Sequence, residues 1–74
     1  MSIYEKIGRR IKELREKAEM SQDALAREMK LPRPAISQIE SGARKIATDE
    51  LIKLSQIFHV TVDDFLNPGK EPEV

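Results

Sequence analysis

Cysteine is absent from the 74-residue sequence. That removes disulfide frameworks and cysteine-based zinc sites, and is compatible with a reducing compartment. Histidine occurs once, as His59, at the end of a helix-sized segment with no nucleophile or ligand set nearby. A glycine-rich phosphate loop is missing as well, so an enzyme is not expected, nor a metal or other cofactor. No apolar run approaches the roughly 20 residues of a membrane span. The N-terminal stretch MSIYEKIGRRIKELREK is too densely charged for a signal peptide, so a cytoplasmic protein with no membrane partner is expected. Only three residues are glycine, while 39% are hydrophobic and 35% charged. This balance argues against disorder and for one small helical core.

Net charge is also missing: 13 basic residues balance 13 acidic ones. A neutral total taken alone counts against nucleic-acid binding, for which a basic domain is the usual footprint. The distribution is uneven, however. Residues 1–45 carry 11 Lys/Arg against 7 Asp/Glu, and residues 46–74 carry 2 against 6, so the chain splits into halves of +4 and −4. Phosphate attraction is local, screened beyond about 8 to 10 Å at ordinary salt, so a basic half suffices to meet an anionic polymer.

What is present is helix periodicity with clear punctuation. Ser2 and Glu5 have capping-box spacing, which predicts a helix from Ile3. Ile3, Ile7, Ile11, Leu14 and Ala18 form its apolar stripe. Gly8 in its middle costs up to about 1 kcal/mol relative to alanine, so close approach of a neighbouring helix is its expected use. Arg10, among the solvated cations of the opposite face, could reach a phosphate.

Ser21 can cap a second helix carrying Leu25, Ala26 and Met29 inward, with Asp23 in its electropositive first turn. The corner Lys30-Leu31-Pro32-Arg33-Pro34 ends it, because proline is tolerated only in a first helical turn. A third helix then starts near Arg33, buries Ile36 and Ile39, and stops at Ser41-Gly42. Two short helices and a tight corner make a helix-turn-helix. Thr48 is the expected cap of a fourth helix burying Leu51, Leu54, Ile57 and Phe58. Thr61 and Asp64 form a capping-box candidate for a short fifth with Val62, Phe65 and Leu66, broken at Asn67-Pro68-Gly69. The expected fold is all-α, a compact five-helix bundle around a central helix-turn-helix. Residues 1–69 make one domain, with 70–74 a flexible tail.

Ser21-Gln22-x-x-Leu25-Ala26, Ile36-Ser37-Gln38-Ile39-Glu40-x-Gly42 and Val60-Thr61-Val62-Asp63-x-Phe65-Leu66 together resemble the helix-turn-helix family of Cro and the lambda-type phage repressors. The likeness covers about residues 3 to 67. The departures lie in the corner, where Lys30 stands in a position the family often gives to glycine, and Pro32 and Pro34 where small or polar residues are common. The resemblance implies a lambda repressor-like fold and a DNA-binding transcriptional regulator, with a repressor the expected kind. It also places Arg15 opposite Glu40 as a structural ion pair, and sets Gln22 on a DNA phosphate.

If Ile36 and Ile39 face inward, Arg33, Ser37 and Gln38 face a major groove, with Pro34 at the tip. Arg33 can donate twice to guanine O6 and N7, and Gln38 can pair with adenine N6 and N7. Ser37 suits several bases, and Pro34 offers only apolar contact. Ser41, Arg44 and Lys45 join Gln22 as expected phosphate ligands, and in the family the 43–47 loop lies along the DNA backbone.

The family normally binds double-stranded DNA as a twofold dimer on a palindromic operator. Phe58, Val60, Phe65 and Leu66 are the expected homodimer surface here, being more apolar area than a short last helix needs. Two other readings use the same fold: a module that binds a protein partner, and an antitoxin or partner subunit of a two-protein regulatory switch. RPAISQIESG is similar to the stretch in regulators associated with metallopeptidase partners.

Overall fold

The computed structural model describes residues 2–67. The tail predicted for 70–74, and the part of the Asn67-Pro68-Gly69 break beyond Asn67, lie outside the described residues. Five helices follow in order: α1 (Ile3–Lys17), α2 (Gln22–Met29), α3 (Arg33–Ser41), α4 (Thr48–Phe58) and α5 (Val62–Leu66). The all-α bundle expected from the periodicity is the one observed.

Local chemistry sets the helix ends. At α1 the Glu5 N–H donates to Ser2 Oγ at 3.2 Å, while the Ser2 N–H donates to Glu5 Oε1 at 3.1 Å. That backbone donor, then the Ser2 hydroxyl, holds the Glu5 carboxyl below the usual carboxylate range. Ser21 Oγ accepts from the Ala24 N–H at 3.0 Å and opens α2. Past their C-termini, α1, α2 and α4 turn through a left-handed residue that is not glycine: Glu19, Lys30 and His59, with φ of 55°, 57° and 56°. Each such residue costs on the order of 1 kcal/mol. The next N–H offsets that cost by capturing a carbonyl five residues back: Met20 to Arg15, Leu31 to Ala26 and Val60 to Ser55. Met20, Leu31 and Val60 then fold their side chains onto the core. Only α3 ends in glycine, at Gly42 with φ 83°.

The core joins Ile7 and Ile11 of α1, Leu25, Ala26 and Met29 of α2, Ile36 and Ile39 of α3, Leu54 of α4 and Phe65 of α5. Each fully buried aliphatic or aromatic side chain contributes about 1.5 to 3 kcal/mol. α3 is seated on α1 more tightly than side chains alone would allow. A Cβ on Gly8 would stand 2.7 Å from the Glu40 carbonyl oxygen and closer still to that of Ile39. A Cβ on Gly42 would stand 2.8 Å from Glu5 Cα. Both glycines therefore lie on the α1–α3 seam, where backbone meets backbone.

Some details differ from the sequence expectations. Ile3, the first residue of α1, is 46% exposed, and Ala18 is exposed just past the helix end. α4 is capped one residue earlier than Thr48: Ala47 is the N-cap, and its N–H donates to Glu50 Oε1 at 3.1 Å. Thr61 Oγ1 accepts from the Asp64 N–H as expected. The Asp64 carboxylate does not return to the cap, however. It receives Arg10 Nε at 2.8 Å and Nη2 at 3.3 Å. Arg10 is thus engaged with α5, and this bond to Asp64 raises its pKa above the ordinary arginine value despite partial burial.

Candidate nucleic-acid interface

Helix α3 has two opposed faces. Ala35, Ile36 and Ile39 are buried, whereas Arg33, Pro34, Ser37 and Gln38 are all exposed. At i, i+3 spacing, two isoleucines fix the rotation of the helix about its axis. The four predicted base-reading residues consequently share the outward side and the N-terminal tip. An arginine, with two parallel donors, and a primary amide, with one donor and one acceptor, match the major-groove edges of guanine and adenine respectively.

One carboxylate holds this helix in place. Glu40 Oε2 accepts from Arg15 Nε at 2.5 Å, and Glu40 Oε1 accepts from Arg15 Nη2 at 3.1 Å and from Gln22 Nε2 at 3.0 Å. Arg15 Nη1 donates to the Met20 carbonyl at 2.8 Å. The Arg15 and Glu40 side chains are only 11% and 4% exposed, so the pair is partly desolvated and its bonds are charge-assisted. The bond to Glu40 outweighs burial and raises the Arg15 pKa above its ordinary value. α1, α2 and α3 meet at this one group. The bond to Glu40 uses one of the two Gln22 amide hydrogens.

The remaining predicted phosphate ligands are disposed differently. Ser41 Oγ donates to the Gln38 carbonyl at 3.1 Å on an exposed helix end, and Lys45 is exposed in the loop. Arg44, which the sequence presented as a free cation, donates from Nη1 and Nη2 to Glu50 at 3.2 and 3.0 Å. Because Glu50 also receives the Ala47 N–H, Arg44 buttresses the loop and the start of α4. The surface expected to pair two copies loses one residue. Phe65 is 0% exposed, since α5 drops it into the core between α1 and α4, and it has no surface left to offer. Phe58, Val60 and Leu66 are partly buried against the core.

Sequence reasoning missed several participants. Asp23 Oδ1 lies 3.7 Å from Arg33 Nε, although Asp23 reads in the sequence only as a helix-dipole residue. Ile52 is 46% exposed on α4, and its place outside the Leu51, Leu54, Phe58 stripe was the available signal. An open cleft of about 420 Å³ is lined by Met20, Glu28, Lys53, Gln56, Ile57 and His59. None of these belongs to α3. Among the described residues, no group of acidic, cysteine or histidine side chains could hold a metal ion, and no helix is long and apolar enough to cross a membrane.

Known proteins share this fold. The Helix-turn-helix family profile matches residues 11–65, from Ile11 in the second half of α1 to Phe65 in α5. The chain belongs to the helix-turn-helix family. The resemblance drawn from Ser21-Gln22 and Ile36–Gly42 is borne out, and with it the reading of a non-enzymatic DNA-binding regulator. Control protein C.BamHI of Bacillus amyloliquefaciens is 38% identical over 61 residues, covering 81% of this chain and 75% of its own length. The HTH-type transcriptional regulator ImmR of Bacillus subtilis (strain 168) is 35% identical over 65 residues, 88% of this chain but only 50% of its own. The crystal structure of the restriction-modification controller protein C.AhdI from Aeromonas hydrophila superposes with a TM-score of 0.77 at 27% identity. That match covers 84% of this helix-turn-helix chain and 94% of the other.

Proposed function

We propose that this helix-turn-helix protein reads the major groove of a palindromic operator as a twofold homodimer and represses the genes beside it. The observation that supports this most is the bare outer face of α3. Arg33, Pro34, Ser37 and Gln38 are exposed while the opposite side of the helix is wholly buried. Arg33 and Gln38 carry base discrimination, with Ser37 and Pro34 beside them. Gln22 holds a phosphate together with the first amides of α2. Ser41 and Lys45 supply further backbone contacts, and Arg44 adds to them with the N–H groups that its bonds to Glu50 leave over.

Charge-assisted binding of this kind is salt-dependent: log affinity falls linearly with log salt, with a slope of about −0.9 per phosphate neutralised. Selection from a random duplex library should yield a preferred sequence. Arg33→Ala and Gln38→Ala should each erase preference at particular positions, at about 1 to 3 kcal/mol for each bidentate base pairing removed. Gln22→Ala should instead weaken all duplexes alike. A flat salt response would favour the protein-partner reading in place of this one.

The second copy fits best on α4 and α5. Of the eleven residues of α4 only Leu54 is fully buried, although Leu51, Ile52, Ile57 and Phe58 are all apolar. Phe58, Val60 and Leu66 remain partly open, and Ile52 lies further out. With Phe65 buried, Ile52, the exposed large apolar residue of α4, is added to the proposed surface. Sedimentation should show a weak dimer whose association drops in Ile52→Glu while the unfolding midpoint of the monomer holds. A protein that stays monomeric at high concentration and on DNA contradicts the pairing. The name of C.AhdI as a restriction-modification controller favours a related role here: regulating the genes of a partner, in the manner of a two-protein switch.

A further inference from the structure

We infer that Asp23 is a specificity-determining residue that aims Arg33 at a guanine. The inference rests on the reading of Arg33 as a base reader. Asp23 occupies the first turn of α2, and the Ser21 hydroxyl already caps that helix through the Ala24 N–H. Its carboxylate is therefore free of capping duty. It stands 3.7 Å from Arg33 Nε, with the two side chains 58% and 63% exposed. An acid at this edge is otherwise a handicap, since it faces the polymer whose phosphates the first amides of α2 and Gln22 would hold.

The nitrogen that Asp23 approaches gives the pairing its use. Guanidinium can address guanine O6 and N7 either end-on, through Nη1 and Nη2, or side-on, through Nε and one Nη. A carboxylate on the Nε edge blocks the side-on arrangement and leaves the terminal fork as the one bidentate option. In solution the exposed pair is held only loosely. Once DNA excludes water, the same attraction strengthens as the local dielectric falls. Asp23 further repels phosphate, which keeps Arg33 from settling on the backbone at unrelated sequences. Asp23 thus exchanges indiscriminate affinity for a defined contact.

The test is parallel selection from one random duplex library with the wild-type protein, Asp23→Asn, Arg33→Ala and Gln38→Ala. Affinity for a random-sequence duplex is then measured by titration. The expected result is that Asp23→Asn loses at least about fivefold of its preference at the position Arg33→Ala erases, within the range of one bidentate contact. It should keep the position that Gln38→Ala erases. Its affinity for the random duplex should rise about two- to threefold, as expected when one acid is removed near phosphates. A merely structural role would lower binding to every duplex. Uniform weakening, or an intact preference at the position Arg33→Ala erases, overturns the inference while leaving the base-reading helix standing. If Arg33→Ala and Gln38→Ala change no position at all, the base-reading proposal fails and the inference with it.

Discussion

Alanine at position 8 should lower stability by about 2 to 3 kcal/mol, the upper part of the range for overpacking a tight interior. Helix propensity predicts the reverse sign, because Gly→Ala in mid-helix normally gains up to about 1 kcal/mol. The α1–α3 seam decides between them. The added methyl would meet the carbonyl oxygens of Ile39 and Glu40, the latter at 2.7 Å. Both are backbone atoms of a helix that Ile36 and Ile39 already pin to the core, so neither can rotate away as a flexible side chain would. Thermal unfolding of Gly8→Ala should show a midpoint lower by about 10 to 20 °C, at about 4 to 8 °C per kcal/mol for a domain of this size. A raised midpoint would mean that α1 can slide off α3 at little cost, and that the seam is looser than its geometry.

Glu40→Gln should destabilise the fold by about 3 kcal/mol, the lower end of the range for breaking a buried ion pair. The isosteric amide retains one acceptor, but it turns a donor toward Arg15, whose guanidinium then stays buried without its counter-charge. Whichever way the amide turns, either Arg15 Nε loses its acceptor or Arg15 Nη2 and Gln22 lose the oxygen they share. The paired variant Arg15→Met with Glu40→Leu, which removes both charges, should recover much of the loss, since the penalty arises from the orphaned charge. Chemical denaturation of the two variants separates the possibilities. An unchanged midpoint for Glu40→Gln would show that these groups are solvated and independent.

Much of the bundle was legible because its signals are local. The Ser2/Glu5 box, the Ser21 cap, the Pro32 and Pro34 corner and the Gly42 stop act within a few residues, and each marks the helix end it predicted. The outward face of α3 followed from the spacing of Ile36 and Ile39. Periodicity, however, tells which side of a helix is apolar and not which neighbour covers it. Phe65 and Leu66 are adjacent and both hydrophobic, yet α5 buries one fully and leaves the other partly open.

Ion pairs posed the same problem at longer range. Arg10 and Asp64 are 54 positions apart, and no local pattern links them. Arg44 and Glu50 are six apart across a helix start. There the loop conformation decides the contact, so Arg44 read as a loose phosphate ligand. Arg15 and Glu40 could be paired in advance only through family resemblance.

Entry of the exposed side of α3 into DNA is the step that the proposed function requires. It is tested most directly by titrating the isotopically labelled protein with its library-selected duplex and following backbone and side-chain amide resonances. The largest changes should fall on residues 33 to 38 and on Gln22 at the start of α2, including the side-chain amides of Gln22 and Gln38, and they should shrink as salt is raised. Changes confined to α4 and α5, with the Gln38 amide unmoved, would contradict it.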